Sequence, residues 1–226
     1  MSKRYRIIIF FIILVADLAA VQGDYKIAEY FFKPLIIIWL MAWFVLQLRS
    51  AQSVLKKWII FALFFSWLGD VLLMFHQEDS IFFLLGLSSF LIAHIFYILF
   101  FHFVRIKEMV KSRWYLLLIV VIYYAVIISI LSPYLGDMKL PVRIYAVVIS
   151  FMFMLAMHML FIKNKATGLW MMAGAFLFVV SDSLLAINKF FQPFEMAGFF
   201  VMSTYGLAQL FITEGAIRYI SSEYKE

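Results

Sequence analysis

Long apolar stretches alternate with short polar segments along the whole chain. Eight such stretches cover residues 7–21, 31–48, 58–75, 81–104, 114–131, 141–162, 168–187 and 196–217. A helix needs about 20 apolar residues to cross a bilayer. Backbone polar groups in lipid must be satisfied within the segment, and the stretches lack the alternation of barrel strands, so they predict helices. The pattern therefore predicts an all-α polytopic membrane protein, with eight transmembrane helices forming one domain over residues 1–226.

The composition agrees with a membrane protein and excludes several kinds of chemistry. Hydrophobic residues make up 66% of the chain and charged residues only 14%, with a mean hydropathy of +1.02. Soluble domains are about half apolar and about a quarter charged, so this chain has too little polar surface for a soluble globule. The absence of cysteine excludes a disulfide, a thiolate metal site and a cysteine nucleophile.

The basic residues are distributed unevenly between the two sides of the predicted bundle. With eight spans, the side that holds both termini carries 14 of the 19 Lys and Arg residues. Positive charge favours the cytoplasmic side, which predicts an inner plasma membrane protein with both termini in the cytoplasm. The net charge of +6 is interpreted as a topology signal and as contacts to anionic lipid, and no nucleic-acid partner is expected.

A short pattern occurs twice and suggests two parallel four-helix halves. Residues 68–73 read Leu-Gly-Asp-Val-Leu-Leu and residues 180–185 read Val-Ser-Asp-Ser-Leu-Leu. Asp70 follows Lys33 by 37 residues, and Asp182 follows Arg143 by 39. Parallel repeats of this kind occur in transporter folds. In so apolar a chain, chance is an equal explanation for the agreement.

Six ionisable residues fall well inside the apolar stretches: Asp17, Asp70, His94, His158, Asp182 and Glu214. Such residues cost free energy in lipid and indicate a functional site. At about 1.5 Å per residue, Asp70 lies roughly 18 Å beyond Trp58 and Asp182 roughly 21 Å beyond Gly168. The two aspartates are therefore expected at similar depth in the outer half of the bilayer, within reach of Lys33 and Arg143.

Two interpretations of the aspartates stay open at this point. In one, Asp70 and Asp182 face a common cavity; because both cannot ionise cheaply in a low dielectric, they act as an acid and a base. In the other, Asp70 pairs with Lys33 and Asp182 with Arg143, and the charges only hold helices together. His94 and Tyr97 share a helix face and form either an interhelical hydrogen bond or a relay that positions substrate and moves protons.

The remaining candidates carry less information. Glu214 precedes Arg218 by one helical turn, which predicts an ion pair within the helix. Asp17 has no assignment. Asp70, Asp182 and His94 have side chains of the type that bind metals, but the zinc, phosphate-loop and nucleophile-elbow motifs are absent. We therefore expect neither a metal nor a cofactor.

The order of short motifs along the spans resembles the YhhN family, which includes the lysoplasmalogenases. The resemblance runs from the second span to the eighth and rests on Lys33-Pro34-Leu35, residues 68–73, Phe83 to Leu87, Phe90, Ala93-His94, Tyr97, Arg143, Tyr145, Phe178, residues 181–186, Tyr205 and Ala208-Gln209. No single motif is specific, but their order on successive spans is.

The resemblance implies a hydrolase that cleaves the vinyl ether bond of lysoplasmalogen into a fatty aldehyde and a glycerophospho-alcohol. It implies catalysis by Asp70 and Asp182. Together with the residue pattern, it leads us to expect that the lysophospholipid substrate is bound by Lys33, His94, Tyr97, Arg143, Tyr145, Ser181, Asn188, Tyr205 and Gln209.

This chemistry fits an acid and a base held in an apolar site. A vinyl ether is hydrolysed by protonation of its β-carbon, followed by capture of the oxocarbenium ion by water, and these steps need an acid and a base. The cation of Lys33 or Arg143 would hold the phosphate. Two alternatives remain: a transporter of lipid or of a small molecule that uses the aspartates as substrate or proton sites, and a protein whose buried charges only join helices.

Overall fold

The computed structural model describes residues 3–75 and 79–223, and in these residues all regular structure is helical. Eight long α-helices follow one another: α1 (Lys3–Gln22), α2 (Lys26–Gln47), α3 (Leu55–Met74), α4 (Ser80–Lys107), α5 (Tyr115–Leu131), α6 (Lys139–His158), α7 (Lys165–Ala186) and α8 (Ala197–Glu223). Each predicted span overlaps one helix, and the boundaries differ by only a few residues. The predicted all-α membrane fold is confirmed.

Seven of the described helices, α1 to α7, are long and apolar enough to cross a membrane. The eighth, α8, is 27 residues long but more polar, because it carries Gln209, Thr213, Glu214 and Arg218. Gln209, Thr213 and Glu214 are buried, since α8 packs against α7, α1, α2 and α3, whereas Arg218 is partly exposed. A polar helix inside a bundle avoids lipid contact, so an eighth span by α8 remains our prediction.

Local signals explain where two of the helices begin. Asp79 precedes α4 in an extended conformation and its carboxylate accepts a hydrogen bond of 2.9 Å from the backbone N–H of Ile81. Asn164 precedes α7 and accepts a bond of 3.1 Å from the N–H of Thr167. Both side chains satisfy N–H groups that have no partner within the first helical turn.

The helix neighbours follow a pattern in which the two halves of the chain resemble each other. Helix α1 packs on α2 as α5 packs on α6, α2 on α3 as α6 on α7, and α3 on α4 as α7 on α8. One pair of contacts between the halves also corresponds, because α4 packs on α6 and α8 packs on α2, whereas the packing of α1 on α8 has no comparable counterpart between α5 and α4. This pattern supports the predicted parallel repeat.

Large apolar side chains fill the interior of the bundle. The outer surface is also apolar, but its side chains are exposed. Phe44, Phe100, Phe101 and Phe178 are fully buried where the helices meet. On α5, exposed apolar residues form much of the outer surface, among them Leu117, Leu118, Val121 and Ile122. An apolar outer surface of this kind is suited to contact with lipid chains.

Candidate active site

A cavity of about 240 Å³ opens at one end of the bundle, and Asp70 and Asp182 both line it. The aspartates lie one turn before the last residues of α3 and α7, while the beginnings of α2 and α8 form other parts of the wall. The polar and charged residues of the wall include Glu29, Lys33, Ser181, Asn188, Lys189 and Tyr205. The structure therefore brings together the two predicted catalytic residues and four of the nine predicted substrate-binding residues, namely Lys33, Ser181, Asn188 and Tyr205.

Asp70 is held on α3 by a tyrosine from α8. The Tyr205 hydroxyl donates a hydrogen bond of 2.7 Å to Asp70 Oδ2, and the aspartate is only 3% exposed. The preceding residue, Gly69, lies against the ring of Phe90, where an added Cβ would come within 2.6 Å of a ring carbon. Glycine at this position lets α3 and α4 approach closely beside the cavity.

Asp182 is held on α7 by a different tyrosine, from α6. The Tyr145 hydroxyl donates a hydrogen bond of 2.5 Å to Asp182 Oδ2. His94 Nε2 lies 3.7 Å from the same oxygen, which is beyond direct hydrogen-bond distance. The Asp182 side chain is 14% exposed. This carboxyl group thus has one fixed donor and one imidazole nitrogen nearby.

The other ring nitrogen of His94 determines how Nε2 can act. His94 Nδ1 lies 2.6 Å from the carbonyl oxygen of Phe90. A carbonyl only accepts hydrogen bonds, so Nδ1 carries the proton. In a neutral ring Nε2 is then unprotonated, and it has no hydrogen-bond partner among the described residues. His94 can therefore accept a proton from the direction of Asp182, as the relay interpretation requires.

The two aspartates are held separately and do not bond to each other. Asp70 accepts from α8 and Asp182 accepts from α6, and no hydrogen bond joins the two carboxyl groups in the described part of the chain. Lys33 lies within electrostatic range of Asp70. The two groups therefore have different surroundings, with a lysine near Asp70 and a histidine near Asp182.

The ion pairs of the alternative interpretation are not found in the described residues. The Lys33 ammonium lies 2.9 Å from Glu29 Oε1, one turn earlier on the same helix. Arg143 Nη2 donates a hydrogen bond of 2.9 Å to the Ser132 hydroxyl. Lys33 still lines the cavity, whereas Arg143 does not. A role for Arg143 in holding the substrate remains a prediction that its position does not support.

Tyr97 and Gln209 lie behind the cavity wall and do not line it. The Tyr97 hydroxyl donates a hydrogen bond of 2.5 Å to Gln209 Oε1, and both residues are fully buried. Ser181 does line the cavity, but its hydroxyl donates a bond of 3.0 Å to the carbonyl of Val201 and so ties α7 to α8. In this structure these side chains support the wall of the cavity.

A π-helical turn, Ile187–Phe191, extends α7 and carries the polar rim of the cavity. Such turns are frequent at functional sites. Asn188 Oδ1 accepts a bond of 3.3 Å from the N–H of Phe194, and the Lys189 ammonium lies 5.1 Å from the centre of the Phe83 ring. The sequence analysis missed Lys189 and Glu29 as cavity residues. The one-turn spacing between Glu29 and Lys33 was a readable signal for Glu29.

A smaller apolar cavity of about 50 Å³ adjoins the polar one at Asp182. Its wall combines residues of α4, α6 and the π-helical turn, including Leu87, Val142 and Phe190. Tyr145 lines it as well, although it does not line the larger cavity. Asp182 therefore lies where a polar compartment meets an apolar one, as an amphiphilic ligand would require.

The other buried ionisable residues lie outside this cavity. Glu214 Oε1 accepts a bond of 2.7 Å from Arg218 Nε, which confirms the predicted ion pair. His158 Nε2 accepts a bond of 3.2 Å from the backbone N–H of Arg113. Asp17 is fully buried, and neither of its carboxyl oxygens has a hydrogen-bond partner in the described residues.

A second open cavity lies at the opposite end of the bundle, and none of the predicted site residues lines it. Its volume is about 490 Å³, and the segment before α3, the end of α4 and the end of α8 form its wall. Lys107 and Glu223 form an ion pair there.

Within residues 3–75 and 79–223, no group of three or more Asp, Glu or His residues is arranged to hold a metal ion.

A comparison with known protein families shows which family this chain belongs to. The sequence profile of the YhhN family matches residues 28–216, which is most of the chain. The chain belongs to the YhhN family. The resemblance noted from the motifs is thereby confirmed, and the matched region includes both aspartates and the whole polar rim of the cavity.

Several curated proteins that are similar to this chain carry the name lysoplasmalogenase. Human lysoplasmalogenase TMEM86B is 32% identical over 59% of this chain and 53% of its own length. Human lysoplasmalogenase TMEM86A is 30% identical over 70% of this chain and 65% of its own length. A lysoplasmalogenase of Mycobacterium bovis is 27% identical over 71% and 60%. The chain thus spans less than two thirds of the length of these relatives. No solved structure matches the chain.

Proposed function

We propose that this protein is a membrane hydrolase that cleaves the vinyl ether bond of lysoplasmalogen, with Asp70 and Asp182 as its acid and base. The observation that carries the proposal is one cavity lined by both carboxyl groups and joined at Asp182 to an apolar compartment. The names of the relatives support the substrate class.

The surroundings of the two aspartates support different roles. The β-carbon of a vinyl ether lies on the fatty-chain side of the ether oxygen, so it would face Asp182 at the apolar compartment. Asp182 has the unprotonated Nε2 of His94 on one side and the Tyr145 hydroxyl on the other. Asp70 accepts a hydrogen bond from Tyr205 and shares the cavity wall with Lys33, and we assign it the role of the base.

The proton transfers balance over one cycle. Asp182 gives its proton to the β-carbon and leaves an oxocarbenium ion at the neighbouring carbon. Asp70 removes a proton from water as the water oxygen bonds to that carbon, which forms a hemiacetal. When the hemiacetal breaks, Asp70 protonates the departing glycerol oxygen and Asp182 recovers a proton from the hydroxyl group. The products are an aldehyde and a glycerophospho-alcohol, and both residues return to their starting states.

The lipid would lie with its head group at the rim and its chain between helices. Lys33 and Lys189 provide positive charge for the phosphate at the mouth of the polar cavity. The apolar compartment beside α4 and α6 accommodates the start of the fatty chain. We also propose that the mouth faces the outer side of the plasma membrane, as the loop charges predict.

The test is aldehyde release by the purified full-length protein from a 1-alkenyl lysophospholipid. We expect Asp70→Asn and Asp182→Asn to lower the rate by at least about 100-fold while the protein stays folded. Asp137→Asn is the matched control, because Asp137 is exposed in the α5–α6 connection and lies outside the cavity. Full activity in either cavity variant would remove that aspartate from the mechanism.

The transporter alternative has its own readout in the same preparation. In proteoliposomes, movement of the lipid between leaflets without product formation would favour transport over hydrolysis. Loss of folding in Asp70→Asn and Asp182→Asn, with no selective loss of aldehyde release, would instead favour a purely structural role for the two charges.

A further inference from the structure

Among the residues that the structure describes, three charged side chains lie at the mouth of the cavity: Glu29 and Lys33 on α2 and Lys189 on the π-helical turn. Building on the proposed hydrolase function, we propose that Glu29 selects the head group. It favours phospholipids whose phosphate is followed by a primary ammonium group, such as ethanolamine, over those that end in a bare phosphate. No step of the hydrolysis itself uses Glu29.

Glu29 and Lys33 form a local pair that a ligand can reach. The Lys33 ammonium is 2.9 Å from Glu29 Oε1, and the side chains are 15% and 27% exposed, respectively. The pair is partly buried in the cavity wall, so the Lys33 ammonium needs an anionic partner there. A phosphate that replaces the carboxylate supplies that partner, and the exchange leaves Lys33 paired.

The opposite side of the mouth can share the phosphate. Lys189 is exposed and lies over the Phe83 ring, and both residues line the cavity. The Asn188 carbonyl oxygen already accepts a bond from Phe194, which leaves the amide nitrogen to donate to another group. Two ammonium groups and one amide then bind the phosphate, while Glu29 is the acidic residue that lines this cavity near its rim.

The selectivity follows from the position of the displaced carboxylate. When a phosphate binds Lys33, the Glu29 carboxylate remains beside it, because both side chains project from the same face of α2. A bare phosphate leaves two negative groups together, which is unfavourable. A head group with its own ammonium places a positive charge between them, and a primary ammonium also donates hydrogen bonds to the carboxylate. The quaternary ammonium of choline supplies the charge but no donor.

The experiment compares three lysoplasmalogens with the same alkenyl chain, carrying ethanolamine, choline or no group beyond the phosphate. For the wild-type protein we expect kcat/KM for aldehyde release to fall in that order, with at least about a tenfold difference between the first and the last. In Glu29→Gln we expect kcat/KM to fall for the ethanolamine lipid and to rise for the phosphate-terminated lipid. An equal loss on all three lipids would overturn the proposal.

Two control variants separate charge at the mouth from charge elsewhere at this end of the bundle. Glu195 and Lys139 are exposed and do not line the cavity, so Glu195→Gln and Lys139→Met should leave the order and the rates unchanged. Lys33→Met should lower kcat/KM for all three lipids by a similar factor, because the phosphate is common to them. A change of head-group order in Glu195→Gln equal to that in Glu29→Gln would also contradict the role of Glu29.

Binding of non-cleavable lipids distinguishes this inference from the hydrolase proposal. The corresponding 1-O-alkyl ethers lack the vinyl group, so their dissociation constants report head-group selection without hydrolysis. Selective binding that Glu29→Gln abolishes, together with no aldehyde release from any substrate, would support the head-group site and refute the hydrolase. Equal binding of the three ethers by the wild-type protein would refute the head-group site.

Discussion

Tyr97 and Gln209 are joined by a hydrogen bond of 2.5 Å and are separated by 112 positions in the chain. The same interval separates Asp70 from Asp182, and Gly86 from Gly198. If two parallel halves are related by an approximate two-fold axis, equivalent residues that touch must lie on that axis. The hydrogen bond therefore places the axis of the predicted repeat between α4 and α8, directly behind the cavity.

The same interval makes Tyr145 the counterpart of Lys33, whereas the sequence analysis had compared Lys33 with Arg143. Lys33 lies within electrostatic range of Asp70, and Tyr145 donates a hydrogen bond to Asp182. Equivalent positions near the two aspartates thus hold a cation in one half and a neutral donor in the other. In the proposed mechanism, this difference between the halves is what would distinguish the base, Asp70, from the acid, Asp182.

The Tyr97–Gln209 hydrogen bond should stabilise the contact between the halves. Tyr97→Phe leaves Gln209 buried with neither its oxygen nor its nitrogen paired, and should cost about 1–2 kcal/mol in the free energy of unfolding. Gln209→Leu should cost a similar amount, whereas the double variant removes both polar groups and should recover part of the loss. The free energies of unfolding of the wild type, the two single variants and the double variant are measured in detergent. Losses that simply add in the double variant would contradict a direct interaction between Tyr97 and Gln209.

The two tyrosines that hold the aspartates should affect the rate more than the stability. Tyr145→Phe and Tyr205→Phe remove the hydroxyl groups that orient Asp182 and Asp70, and misorientation of a reacting group should lower kcat by about 10- to 100-fold. Aldehyde release and the melting temperature are measured together. Tyr124→Phe is the control, because it removes a hydroxyl of α5 that lies outside the cavity. Equal losses in all three variants would argue against a positioning role.

The spans could be predicted because the bilayer imposes them. A stretch such as 114–131 is apolar throughout since it must satisfy its backbone internally, and it corresponds closely to α5. The depth of Asp70 and Asp182 followed from the rise per residue, and both do lie one turn from the ends of their helices. Reasoning from spacing along single helices was therefore sufficient for the helices and for placing both aspartates near the same end of the bundle.

The partners of those aspartates could not be predicted, because they depend on how the helices are rotated against each other. Tyr145 and Tyr205 come from α6 and α8, and nothing in their local sequence indicates which helix they face. One of the two open interpretations paired Lys33 with Asp70 across the bundle, but Lys33 bonds to Glu29 on its own helix. Lys189 reaches the mouth because α7 ends in a π-helical turn, and no recognised sequence signal predicts such a turn.

The apolar compartment beside Asp182 should hold the first part of the fatty chain. Leu87→Trp would fill a space of about 50 Å³ and should raise KM for a long-chain lysoplasmalogen by about tenfold. Leu84→Trp is the matched control on the same helix, because Leu84 is 38% exposed on the outer surface and does not line the compartment. Steady-state kinetics with alkenyl chains of different length measure the effect. Equal KM values in the two variants would mean that the chain lies elsewhere.

The absence of cysteine allows the topology, including the eighth span, to be tested with single introduced thiols. Glu195 precedes α8 and Ser222 lies near its end, and both are exposed. If α8 crosses the membrane and the termini are cytoplasmic, a membrane-impermeant maleimide should label Glu195→Cys in intact cells but label Ser222→Cys only after permeabilisation.

The connection between α4 and α5 provides the matching control for that experiment. Lys111 is exposed and is predicted to be cytoplasmic, so Lys111→Cys should behave like Ser222→Cys, whereas Asp137→Cys in the next connection should behave like Glu195→Cys. Labelling of Ser222→Cys in intact cells, with Lys111→Cys still protected, would mean that α8 does not cross. Protection of Glu195→Cys and Asp137→Cys with labelling of the other two would reverse the orientation, and the cavity mouth would then open to the cytoplasm.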